Sequence, residues 1–184
     1  FTGGSGETYT FQCTSEPVIA SESFNYTAGG TLTGQNGGFG WSGAWMGPSP
    51  AFPDFTVDGT GLTYSGLSSS GGRADFTSGN GADAARNLAA ASNAKYNVIW
   101  LTFLGNYDPE GGGFSNVRFY TAGGSTITGG IGGNAGYTNW AILDNMLNAT
   151  TFTSTPFDAN THLAMLKIDY SAGTSSLWMD PAVA

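Results

Sequence analysis

Ten residues from Lys95 to Leu104 alternate along an extended chain, with Tyr96, Val98, Trp100 and Thr102 on one face and Asn97, Ile99, Leu101 and Phe103 on the other. Both faces are largely apolar, the pattern of a central strand covered on both sides. A second run, His162 to Tyr170, sets Leu163, Met165, Lys167 and Asp169 against Ala164, Leu166, Ile168 and Tyr170. Ser171-Ala172-Gly173-Thr174 reads as a hairpin turn, and the chain returns through Ser175 to Met179. Period-two segments of this kind need facing layers of sheet.

The remaining segments agree with that reading. Phe55 and Val57 alternate about Thr56, Arg73 to Thr77 reads as a short strand, and Phe114 to Thr121 turns Val117 and Phe119 inward. Leu62, Tyr64 and Leu67 are expected to plug the core. Thr126 to Thr128 forms a short strand before a glycine-rich bend. Only Gly81 to Ala91 holds a run of good helix formers, and it is too short to stand alone; a turn of helix or an Ala-rich edge over a sheet end is expected there. With 30 glycines and 7 prolines among 184 residues, short strands joined by glycine-rich turns predict an all-β fold: an antiparallel β-sandwich of jelly-roll type, in one domain.

A further stretch, Glu22 to Trp45, opens on Glu22-Ser23-Phe24-Asn25-Tyr26, where Phe24 and Tyr26 share a face as in a half-buried strand. A glycine-rich run then closes on Trp41 and Trp45. This run, the segment Gly61-Leu62-Thr63-Tyr64-Ser65-Gly66-Leu67 and the late strand from His162 to Tyr170 together resemble the concanavalin A-like lectin/glucanase (laminin G-like) domains of secreted planctomycete and verrucomicrobial-type surface proteins. The resemblance covers roughly Glu22 to Pro181. It implies a concanavalin A-like sandwich over residues 22–184, with further closing strands beyond Ala184, one of them beside Glu22–Tyr26. Without those strands a sheet edge stays open for another chain to cover. Residues 1–21 fall outside the resemblance and read as an N-terminal arm or extra edge strand, with Tyr9 and Phe11 on one face.

A net charge of −8 with 5 basic residues argues against a nucleic-acid surface, and equally against an anionic membrane. No run of eighteen apolar residues occurs, so no membrane span is expected in this chain. Cys13 is the single cysteine, which excludes an intrachain disulfide. The acidity suits an extracellular or cell-surface protein and tolerates calcium.

Catalytic residues are not expected. Glycoside cleavage needs two carboxyl groups about 5 to 9 Å apart, and Glu7, Glu16, Glu22 and Glu110 are isolated in sequence. The acidic pairs Asp54/Asp58 and Asp108/Glu110 sit in Gly/Pro loops. His162, the only histidine, permits no multi-histidine metal site and reads as structural. Oxygen-rich loops favour calcium, and the candidate ligands are Asn106, Asp108 and Glu110, with Asp54 and Asp58 as a second group. For sugar binding the loop aromatics Trp41, Trp45, Tyr107, Tyr137 and Trp140 are the candidates, with Asn139 as a polar partner, whereas Trp100 and Trp178 are placed in the core. Trp41 and Trp45 either seal an end of the sandwich or offer a flat face to a sugar ring. The functional expectation is a non-catalytic carbohydrate-binding module of a secreted protein, with glycans as partners. The alternative is a structural module of an extracellular layer or filament, a homo-oligomer that assembles through the open edge and the arm.

Overall fold

The computed structural model describes residues 18–47, 53–67, 70–76, 82–89, 96–107, 115–121, 127–133, 136–144, 146 and 148–182. Among them every regular element is a strand and every pairing between strands is antiparallel. A two-stranded ribbon joins β1 (Thr56–Asp58) to β2 (Arg73–Asp75). One sheet has the order β3 (Val98–Gly105), β8 (His162–Asp169), β9 (Thr174–Met179). The other is a meander of β4 (Ser115–Tyr120), β5 (Ile127–Gly133), β6 (Asn139–Leu143) and β7 (Ala149–Pro156). The chain therefore leaves the first sheet after β3, completes the second, and returns to pair β8 with β3.

The two sheets form a β-sandwich, and period two decides what lies between them. Ile131 of β5 meets Ala164 and Leu166 of β8, with Leu101, Phe103, Phe119, Ile168, Leu177 and Met179 packed around them. Alternate residues of β3, β8 and β9, from Leu101 and Phe103 to Leu177 and Met179, thus turn toward the meander. The register Leu101↔Leu166↔Leu177 carries this inner row straight across the three-stranded sheet. A shift of one residue would expose the whole row.

Several expectations are corrected. Strand β3 is not central: among the described residues it pairs only with β8, and its second face is open, Trp100 being 47% exposed. Both faces are apolar, but Trp100 stacks on Trp178 outside the sandwich instead of entering a second core. The glycine-rich bend after Thr128 is strand β5 itself. Its glycines are required by close approach: a Cβ on Gly133 would lie 2.6 Å from the Phe157 ring, and one on Gly132 would lie 2.1 Å from the Ser115 carbonyl oxygen. Gly132 also has φ +142°, a backbone that side chains rarely adopt. Strand β7, absent from the sequence reading, carries threonines and one exposed Phe152, so it has β propensity but no apolar face to betray it.

The alanine-rich piece is extended, not helical. Ala85 exchanges backbone hydrogen bonds with Met46, Ala89 donates to Gly40, and Asn87 accepts from Ser42, so the segment lies alongside Gly40–Met46. Glu22–Tyr26 keeps the expected alternation of exposure, yet it is no strand. Phe24 has φ +51°, and its N–H is held by the Glu22 carboxylate at 2.8 Å. Leu67 is 38% exposed and does not plug the core; Leu32 and Val57 are the buried residues of this region. Of the arm, residues 1–17 lie outside the described residues. Ser21 pairs with Phe39 of its own chain, so the fold is engaged before the boundary drawn at residue 22.

Candidate functional site

The glycine-rich run places Trp41 and Trp45 around an ion pair. Arg86 meets the Glu22 carboxylate at 2.5 Å, with side chains only 2% and 7% exposed. The guanidinium carbon lies 5.3 Å from the centroid of Trp41 and 5.6 Å from that of Trp45. Glu22 also accepts from the Tyr26 hydroxyl and from Trp45 Nε1, while Arg86 donates to the Gly43 carbonyl and to Asn36. Phe24 stacks on Trp45 at 5.9 Å. This arrangement satisfies both charges and occupies both indoles, so it is a packing knot. Both indoles are packed against this ion pair and against each other, their centroids 6.3 Å apart.

The other loop aromatics divide. Trp140 is corrected: it belongs to β6, is 4% exposed, and packs edge-on to Phe157 at 5.0 Å, because β6 is an inner strand of the meander. A ring so covered offers no face to a ligand. Tyr107 stacks on Phe157 at 4.1 Å, and its N–H donates to the Asp158 carbonyl. Tyr137 accepts from the Ala149 N–H and meets the exposed Phe152 edge-on at 5.1 Å. Asn139, at the start of β6, accepts from the Thr138 hydroxyl.

Among the described residues, the acidic candidates Asp54 and Asp58 have separate partners. Asp54 accepts from the Thr33 N–H; Asp58 forms an ion pair with Arg73 at 2.6 Å and accepts from Thr60. Asn106 donates to the Ala159 carbonyl, and Asp108 and Glu110 lie outside the described residues. Among the described residues no group of three His, Cys, Asp or Glu side chains is arranged to hold a metal ion, and no helix is long and apolar enough to cross a membrane.

An open aromatic surface does exist, on the outer face of the three-stranded sheet. Trp100 and Trp178 stack with centroids 5.4 Å apart and planes inclined by 24°. Register places Thr102, Met165, Lys167 and Ser176 on the same face, since Trp100 pairs with Lys167 and Met165 with Trp178. The Lys167 ammonium lies 3.6 Å from Asp169, whose carboxylate accepts from Ser171 and Ala172. Those bonds, the Ser171 hydroxyl first, hold the Asp169 carboxyl below its usual range, so it stays ionised. The result is an indole surface bordered by hydroxyls and one cation–anion pair. Assigning Trp100 and Trp178 to the core overlooked a signal in β8, where Lys167 and Asp169 mark that same face as the wet one.

A third cluster surrounds His162, 7% exposed, with a carboxylate at each ring nitrogen: Asp180 at Nδ1, 2.7 Å, and Asp158 at Nε2, 3.0 Å. Tyr64 reaches the same Asp180; burial first, then that negative neighbour, pushes its hydroxyl pKa up. Among the described residues no serine, cysteine or threonine is hydrogen-bonded to the imidazole, whose two partners are both carboxylates. Comparison with family models, with curated proteins and with solved structures gives no match to this chain.

Proposed function

We propose that this chain is a non-catalytic carbohydrate-binding module of a secreted or surface protein, and that the sugar rests against Trp100 on the outer face of the three-stranded sheet. The observation that carries the proposal is the 47% exposure of Trp100 beside Trp178, on a face that also holds hydroxyl and charged side chains. A pyranose ring has one apolar C–H face and a rim of hydroxyls. An indole stacks on the first, and Thr102, Ser176 and Lys167 supply partners for the second. Calcium belongs to the same proposal, with Asn106, Asp108 and Glu110 as its ligands.

Isothermal titration against a panel of soluble polysaccharides, with and without a chelator, tests the reading. The expected result is binding to at least one glycan, lost in W100A and kept in W41A. Absence of binding throughout the panel, or binding indifferent to W100A, overturns it. A second reading, assembly through an open edge, is favoured by β3, which among the described residues has no strand on its outer side. Light scattering of concentrated protein tests that reading, and a single monomeric species removes it.

A further inference from the structure

His162 faces a carboxylate through each of its ring nitrogens, Asp180 Oδ2 at 2.7 Å and Asp158 Oδ1 at 3.0 Å. Neutral imidazole has one N–H and one lone pair. It can serve only one of these carboxylates and turns its lone pair against the other. Only the imidazolium donates to both. We propose that His162 is a proton-operated clasp, which when charged ties the Asp158 turn to the end of β9 and on losing its proton releases the Asp158 arm.

The surroundings decide which arm lets go. Asp180 is anchored twice more: its second oxygen accepts from the Leu163 N–H at 2.9 Å, and its own N–H donates to the Leu163 carbonyl at 2.8 Å. Apart from His162, the Asp158 side chain has partners among the described residues only within its own turn, the N–H and amide of Asn160. Among the described residues the ionisable groups facing the ring are therefore Asp158 and Asp180, with Tyr64 behind Asp180. Strand β3 presents Gly105 opposite His162, and β6 presents the Trp140 ring at 6.2 Å, neither ionisable. Burial alone would drive the proton off, and the hydrogen bonds to Asp180 and Asp158 more than offset it, leaving the imidazole pKa above its ordinary value. The same contact is the main cause that holds Asp158 low.

Release reaches further than one side chain. The Asp158 carbonyl accepts the Tyr107 N–H at 2.7 Å, and the preceding residue, Phe157, stacks on Tyr107. Loosening this turn therefore frees the end of β3 where Asn106 and Tyr107 leave the sheet. The clasp joins three separate parts of the chain through one proton.

Because His162 is the only histidine, its ring nitrogens can be followed by 15N NMR in the intact chain without ambiguity. Below the titration midpoint both nitrogens are expected at imidazolium shifts, and that midpoint lies above the ordinary value of about 6.5. The Tyr107 and Asn160 amides are expected to move with that midpoint, while the Leu163 amide stays. A midpoint at or below the ordinary value, or Tyr107 and Asn160 amides that remain flat through the titration, overturns the proposal. In D158N the midpoint falls; an unchanged midpoint in that variant also counts against the clasp.

Discussion

Glu22 and Arg86, 64 positions apart in sequence, form an ion pair between two tryptophan rings, with both side chains almost fully withdrawn from water. Two buried charges are tolerated because each is fully hydrogen-bonded: the carboxylate by Tyr26, Trp45 and Arg86, the guanidinium by Glu22, Gly43 and Asn36. Removing one partner strands the other. E22Q is expected to destabilise the chain by about 3 to 5 kcal/mol, as is typical when one charge of a buried pair is lost. Urea unfolding of E22Q, R86M and the double variant checks this, the double variant being less damaged than the sum of the two singles.

The tryptophans separate cleanly by role. W140A removes a ring that is 4% exposed, at an expected cost of about 3 to 5 kcal/mol. W100A removes a surface ring, costs about 1 kcal/mol or less, and abolishes glycan binding. Thermal melts alongside titration calorimetry distinguish the two; equal destabilisation would contradict the assignment of Trp100 to the outer face.

Glycine substitutions map where other parts of the chain press on the backbone. G133A drives a methyl into the Phe157 ring and is expected to cost about 1 to 3 kcal/mol. G43A meets nothing within 4 Å and should change stability by no more than about 0.5 kcal/mol. Chemical denaturation of the pair provides the comparison.

Stability should depend on pH through His162. Its folded pKa is raised, so its contribution is complete below the unfolded value of about 6.5 and is lost as pH climbs through the folded value. The Asp158 pKa is lowered, so that contribution is present above about 3.9 and is lost as pH falls through its folded value. The stability difference between the wild-type chain and H162Q is therefore greatest between about pH 4 and 6.5 and shrinks in alkali. Urea midpoints across that range give the answer, and a difference that grows with pH would refute it.

Where alternation and hydrophobicity coincide, the sequence is readable. The hairpin of His162–Asp169 and Thr174–Met179 and the inward row of Leu101 and Phe103 follow from period two alone. Two other regions were hidden by opposite physics. Strand β5 is glycine where pattern rules demand side chains, because the Phe157 ring at Gly133 and neighbouring backbone at Gly129, Gly130 and Gly132 take the space a Cβ would need. The alanine run carries helix propensity but pairs with Gly40–Met46, drawn there by Arg86, whose guanidinium is buried among residues more than forty positions away. Trp100 was misplaced for a third reason. Tryptophan is usually buried, and only the charges of a neighbouring strand reveal that this one is not.

Strand β5 also sets how the interior can change. Gly133 leaves a blank socket that Phe157 fills from beyond the end of β7, so bulk there is lent by a turn instead of by the strand beneath it. Enlarging Gly133 and trimming Phe157 together should restore part of what either change loses alone. Variation at these two positions is therefore tied, and a shorter ring at 157 would be the natural companion of any side chain at 133.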